Sequence, residues 1–276
     1  MSVEKLSGFG EFEFKYQQRE YPVYYRGQGP GVVIIHEIPG ITPSVAKFAK
    51  LVADAGFTVY LPSLLGIPGK PFTVGYVLKS AAQACISREF AVLAANQSSP
   101  ITDYLRALCR HAHSECGGPG VGALGMCLTG NFALSLMVEP CVMAPVLSQP
   151  SLPFGITKTH RSGLHISPQD LECVKQRLTK EDKKVLALRF SHDAGCTGAR
   201  FKKLHQELGD NVETIVIDSA PGNEFGIPRY AHSVLTNDLV DEAGHPTVAA
   251  RDRVLSFFAE HLNPDTESTN SQTNMK

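Results

Sequence analysis

The stretch Gly122-Ala-Leu-Gly-Met-Cys-Leu-Thr-Gly130 decides how this chain is read. Val121 to Leu124 are small or apolar, as in a buried strand, and Asn131 to Val138 has the make-up of a helix. Cys127 falls in the sharp turn between them, two residues after Gly125. A strand-turn-helix of this kind, a nucleophile elbow, holds one side chain out at the top of a parallel sheet. Sulfur here takes the place of the usual serine oxygen. Alone, Gly-x-Cys-x-x-Gly also arises where a buried cysteine packs in a strand-helix corner.

Working outward, a nucleophile needs a base and an orienting acid. In sheets that carry this elbow the chain order is nucleophile, acid, histidine. Val185 to Phe190 reads as a short apolar strand that runs into Ser191-His192-Asp193. A second strand, Val212 to Asp218, leads through a Gly- and Pro-bearing loop to Arg229-Tyr-Ala-His232. Loops just past the carboxyl ends of strands are where ligands gather in open α/β sheets. Cys127, Asp193 and His232 therefore stand in the expected order, with Asp218 and Asp238 as rival acids. Ten histidines compete for the role of base. His192 adjoins Asp193 and breaks the order, and His245, before Pro246, reads as the cap of the last helix. His111, His113, His205 and His261 fall on predicted helices as solvated side chains, and His160 and His165 lie in a polar loop region.

Upstream, Gly31 to Ile35 is a continuous apolar run that ends in His36-Glu37 and Ile38-Pro-Gly40. Thr42 and Pro43 then start a helix as N-cap and first-turn proline, with Val45, Phe48, Val52 and Ala55 on one face. Gly56 ends it, and Phe57 to Leu61 is the next strand. In its His-Glu-x-x-Gly stretch, its Gly-x-Cys-Leu elbow and its later Asp and His, the sequence resembles the dienelactone hydrolase family of α/β-hydrolases. The resemblance runs from about residue 20 to residue 262. It implies the α/β-hydrolase fold and a Cys-His-Asp triad of Cys127, His232 and Asp193. Three departures stand out: Thr129 where the family usually has glycine, Thr236 where it often has arginine, and no tryptophan at all. They count against the dienelactone itself as substrate.

A cysteine attacks as thiolate. His232 is the expected base, Asp193 would fix its tautomer and stabilise the imidazolium, and the N-terminus of the elbow helix favours negative charge at Cys127. The oxyanion needs two backbone donors. Elbow geometry assigns one to Leu128, and the turn after the early strand assigns the other to Ile38, because Pro39 has no N–H. Glu37, a carboxylate ending an apolar strand, is costly to bury unless paired. Two readings stay open for it: it accepts from the Cys127 thiol and holds it neutral until substrate arrives, as the resemblance implies, or it pairs with an arginine. His36 points to the other strand face and reads as structural. The resemblance also implies that Arg88, in Ile86-Ser-Arg-Glu-Phe90, binds an acidic substrate; the alternative is a surface ion pair with Glu89 or a neighbour.

Composition sets the outer bounds. The 276 residues, 43% hydrophobic, suffice for one large core, and the expected organisation is one domain over 1–262 followed by a polar, disordered tail over 263–276. Residues 11 to 26 alternate as an N-terminal antiparallel hairpin. Strands near 31–36, 57–61, 121–126, 141–147, 185–190 and 212–218 alternate with helices, which argues a mostly parallel sheet covered on both faces. Between the second and third of these strands a long helical stretch breaks near Ser98, and Ser99 with Pro100 restarts it. A net charge of −1 offers no attraction to nucleic acid or an anionic membrane. No apolar run reaches the roughly 18 residues of a membrane helix, and the N-terminus lacks an apolar secretory segment. Seven cysteines without Cys-x-x-Cys spacing fit reduced thiols in a cytoplasm and no zinc cluster. The expected function is hydrolysis of a small, anionic ester or lactone without cofactor or metal. Two further readings stand beside it: a non-catalytic ligand-binding or interaction protein on the same fold, and a redox role for Cys127 with Cys196 as resolving thiol.

Overall fold

Each parallel strand carries apolar side chains on both of its faces, the pattern of a sheet covered on both sides. The structure is a computed structural model and describes residues 6–86, 90, 97–152 and 161–263. Its strands are β1 (Gly10–Tyr16), β2 (Arg19–Arg26), β3 (Gly31–Ile35), β4 (Thr58–Pro62), β5 (Val121–Met126), β6 (Val142–Ser148), β7 (Val185–Phe190) and β8 (Val212–Ile217). They form one sheet in the order β1-β2-β4-β3-β5-β6-β7-β8. β1, β2 and β4 pair antiparallel, and the pairs from β4 through β3 to β8 are parallel. The N-terminal hairpin read from the alternation at 11–26 is therefore present as β1 and β2.

The helices are α1 (Pro43–Asp54), α2 (Val74–Ile86), α3 (Ile101–Cys116), α4 (Gly130–Leu136), α5 (Pro168–Glu181), α6 (Gly198–Leu208) and α7 (Pro246–Leu262). Val32, Ile34, Leu124, Met126, Leu186 and Leu188 face α1 and α7, where they meet Phe48, Val52, Phe257 and Phe258. Val33, Ile35, Val121, Ala123 and Ala187 face the opposite way, toward Leu105, Leu108, Phe132, Leu178 and Leu204 of the other layer. Alternation along each strand thus builds two cores from one sheet. After β3 the chain moves to one side to form β4, then returns to the other side as β5. Strand order reverses between β3 and β5, and the crevice beyond their carboxyl ends is the favoured place for a ligand.

Two of the capping signals are present as read. Thr42 caps α1, its hydroxyl accepting from the Val45 N–H at 3.4 Å, with Pro43 in the first turn. His245 caps α7. Three details differ from the sequence reading. Ser99 caps no helix: its hydroxyl turns inward to the Phe90 carbonyl and to His165 Nε2, 2.7 Å away. His165 is buried rather than part of a polar loop, and His111 is not simply solvated, since it stacks on Phe14 with ring centroids 5.2 Å apart. The tail from 264 onward lies outside the described residues.

One buried cation ties the elbow helix to the next strand. Arg177 of α5 donates through Nη1 to the carbonyls of Met137, Glu139 and Val142 at 2.6, 2.7 and 3.2 Å, and through Nη2 to Pro140 at 3.0 Å. Glu181 balances its charge. Arg177→Ala would leave these carbonyls without a donor, and we expect a loss of about 3 kcal/mol in urea unfolding. Arg177→Lys should recover little of it, because an ammonium lacks the planar fork.

Candidate active site

The elbow forms where the sequence places it. β5 runs into a 3-10 turn over Cys127–Thr129, and α4 follows at once. Cys127 has φ 57°, a left-handed conformation that is strained for a residue with a side chain. Glycine makes the turn possible: a Cβ on Gly125 would lie 2.0 Å from the Thr129 carbonyl oxygen, and one on Gly130 would lie 2.8 Å from that of Ser148. Thr129 adds a lock. Its hydroxyl accepts from the Met126 N–H at 3.0 Å and stands 2.9 Å from the Ile35 carbonyl and 3.1 Å from that of His36. The elbow is thereby pinned to the end of β3.

His232 and Asp193 arrive from the loops after β8 and β7. Asp193 Oδ2 accepts from His232 Nδ1 at 2.7 Å, while its Oδ1 accepts from the Gly195 and Cys196 N–H groups at 2.8 and 3.1 Å. A carboxylate can only accept, so the proton sits on Nδ1 and leaves Nε2 free to take one from the sulfur. Burial penalises the charged imidazole, but the charge of Cys127, hydrogen bonds to Asp193 and to the sulfur, and the charge of Asp193 outweigh it. His232 is held well above the ordinary histidine range. Arg189 grips the acid's loop from behind, donating to Cys196 O at 2.9 Å and Ser191 O at 2.8 Å, on either side of Asp193. The rival acids are occupied elsewhere: Asp218 accepts from Ser191, and Asp238 accepts from the N–H groups of His232 and Ser233.

Glu37 departs from both readings offered for it. Its carboxylate meets neither the thiol nor an arginine; it accepts from Ser233 at 2.7 Å, from Thr236, and from Gln149 Nε2 at 3.4 Å. Three neutral donors from loops distant in sequence satisfy the charge. Burial nevertheless pushes its pKa up, against the hydrogen bonds from Thr236 and Ser233. Besides His232, the sulfur meets Ser151, whose hydroxyl lies 3.1 Å from Sγ.

Cys127, His232, Asp193, Ile38 and Leu128 all line one pocket of about 760 Å³. The Leu128 N–H lies in the first turn of its short helix, where such groups have no partner within the helix. Ser151, Arg229 and Tyr230 also line the pocket and were missed from the sequence, standing in loops with no periodic signal. Arg88 lies outside the described residues. Among the described residues no group of His, Cys, Asp and Glu could hold a metal, and no helix is long and apolar enough to cross a membrane.

His36 holds the turn that carries Ile38. Its Nδ1 donates to Glu37 O at 2.9 Å, and its Nε2 accepts from the N–H groups of Leu64 and Leu65 at 3.1 and 3.4 Å. Burial lowers its pKa from 6.5 to about 4. The unfolded chain thus binds this proton more readily, and stability falls as pH drops from about 6.5 toward 4. Between pH 7 and 5 this group should cost roughly 2 kcal/mol. Urea unfolding of His36→Gln should show an acid slope shallower by that amount.

Comparison with known proteins places this arrangement among relatives. The dienelactone hydrolase family profile matches residues 21–262. A carboxymethylenebutenolidase of Rhodococcus opacus is 26% identical over 242 residues, covering 86% of this chain and 83% of that protein. Solved structures share the fold. A Klebsiella pneumoniae protein matches with TM-score 0.61 and 17% identity over 92% of this chain and 98% of its own. A dienelactone hydrolase from Anabaena variabilis matches with TM-score 0.58 and 15% identity over 93% and 100%.

Proposed function

The chain belongs to the dienelactone hydrolase family, and we propose that it cleaves a carboxylic ester or lactone with Cys127 as nucleophile. The observation that carries the reading is the sulfur on a left-handed turn, in one pocket with an imidazole that is bonded to a carboxylate at 2.7 Å. The Rhodococcus opacus relative, named as a carboxymethylenebutenolidase, supports a lactone.

The steps follow from the geometry. His232 Nε2 takes the thiol proton, and the thiolate attacks the acyl carbon. The tetrahedral oxyanion accepts from the N–H groups of Leu128 and Ile38, each worth about 3 kcal/mol of barrier. Collapse expels the alkoxide, which receives the proton from His232; in a lactone it stays tethered to the acyl group. His232 then deprotonates a water, which attacks the thioester and releases the acid and the Cys127 thiol. No step calls for a cofactor or metal. A free thiol as nucleophile suits a reducing compartment such as the cytoplasm.

Arg229 supports an anionic substrate. It lines the pocket, is exposed, and makes no ion pair or hydrogen bond among the described residues. A guanidinium in that state suits a carboxylate.

Turnover of p-nitrophenyl esters and lactones checks both statements. Cys127→Ala should abolish hydrolysis, and Cys127→Ser should keep the fold with little activity. Wild-type rates in Cys127→Ala would overturn Cys127 as the nucleophile. With substrates differing only in a carboxylate, Arg229→Ala should raise KM about tenfold for the charged member alone. Arg88→Ala, tested alongside, shows whether the arginine singled out by the sequence shares that work.

A further inference from the structure

We propose that Ser151 is a catalytic residue of this site, whose hydroxyl donates a hydrogen bond to the Cys127 thiolate. The proposal rests on Cys127 being the nucleophile and adds a group that the triad does not contain.

Ser151 follows β6, in the loop beside the elbow, and only 5% of it is exposed. Its Oγ stands 3.1 Å from Cys127 Sγ. Two backbone contacts fix that approach: the Ser151 N–H donates to Cys127 O at 2.9 Å, and Asn131 Nδ2 donates to Ser151 O at 2.8 Å. Asn131 also donates to Leu128 O at 3.1 Å, so the same amide ties this serine to the turn that carries the sulfur. Among the described residues the Ser151 hydroxyl has no hydrogen-bond partner other than the sulfur. A hydroxyl proton in a mostly enclosed place, with one acceptor in reach, points at that acceptor.

The direction of donation follows the state of the sulfur. While Cys127 is a thiol, either atom can donate. Once the proton has moved to His232 Nε2 the sulfur can only accept, and a hydrogen bond to an ion is stronger than one to a neutral group. Ser151 therefore favours the thiolate-imidazolium pair over the neutral pair. The hydroxyl keeps its own proton throughout. The other charged or titratable groups felt at this sulfur are His232, with Asp193 behind it, Cys196 of the same loop, and Arg200 on α6; His192 and Arg229 share the pocket. None of these changes in a Ser151 variant.

The test is the pH dependence of alkylation at Cys127, followed by mass spectrometry of the peptide that carries it, with iodoacetamide as probe. In Ser151→Ala the acid limb should move up by about one pH unit, so that labelling below the limb is roughly tenfold slower. The acid limb of kcat/KM for a p-nitrophenyl ester should move with it. Ser151→Thr and Ser151→Val form a second pair of nearly equal shape, differing in the hydroxyl, and serve if the alanine variant does not fold. Threonine should retain the wild-type limb and valine should show the shift. Coincident limbs in wild type and Ser151→Ala, or in the Thr and Val pair, overturn the proposal. Labelling reads the sulfur without any turnover, so this outcome is separate from whether Cys127→Ala abolishes hydrolysis.

Discussion

The site depends on one strained backbone position, Cys127 at φ 57°. A left-handed conformation costs a non-glycine residue of order 1–3 kcal/mol and persists only when its surroundings over-determine it. Here they do so from three directions. Gly125 and Gly130 remove the Cβ atoms that would strike backbone on either side of the turn. Thr129 pins the turn to the ends of β5 and β3. The Ser151 N–H holds the Cys127 carbonyl itself. The same strain lifts the sulfur into the pocket that Leu128 and Ile38 also line. Thr129 is therefore more than a tolerated substitute for glycine: through Ile35 and His36 it joins the strand that carries Ile38 to the turn that carries Leu128.

A second constraint fixes the histidine. The loop after β8 has no regular structure, so its position must come from specific bonds. Asp238 accepts from the N–H groups of His232 and Ser233, and Ser233 and Thr236 turn their hydroxyls onto Glu37. Gln149 closes the circuit, donating to Glu37 while its Oε1 accepts from the Val234 N–H at 3.3 Å. A buried carboxylate without such donors would cost several kcal/mol. With them it becomes a knot that holds the His232 loop against the end of β3. This explains why Glu37 can stand at the site without an arginine and without touching the thiol.

Much of this was legible in the sequence. Apolar periodicity and the Gly-x-Cys corner placed β5 and α4, and the strand-then-loop order singled out Asp193 and His232 from many rivals. What failed were inferences about pairing. Glu37 was expected to meet the thiol or an arginine because those are the strong partners for a carboxylate; its actual donors come from residues 149, 233 and 236, which only the folded loops bring together. Ser151 and Arg229 escaped for the same reason. Neither lies on an element with a period, so nothing local marks which way it faces. Thr236 shows the limit most clearly: it reads as a lost arginine in the sequence, yet in the fold it is a working donor to the same carboxylate.

Several cysteines surround this site or its core, and physical setting separates one from the rest. Burial pushes the thiols of Cys109, Cys141 and Cys196 up, away from the thiolate form. Cys196 is the thiol a redox reading would need as partner for Cys127, but it is fully buried. Its backbone is committed to the acid, the N–H to Asp193 and the carbonyl to Arg189. Bringing its sulfur out to meet Cys127 would break the contacts that aim Asp193 at His232. Among the described residues only Cys127 combines access to a pocket with an imidazole at its side and a hydroxyl against its sulfur. The arrangement therefore favours nucleophilic attack on a bound ligand over exchange between thiols.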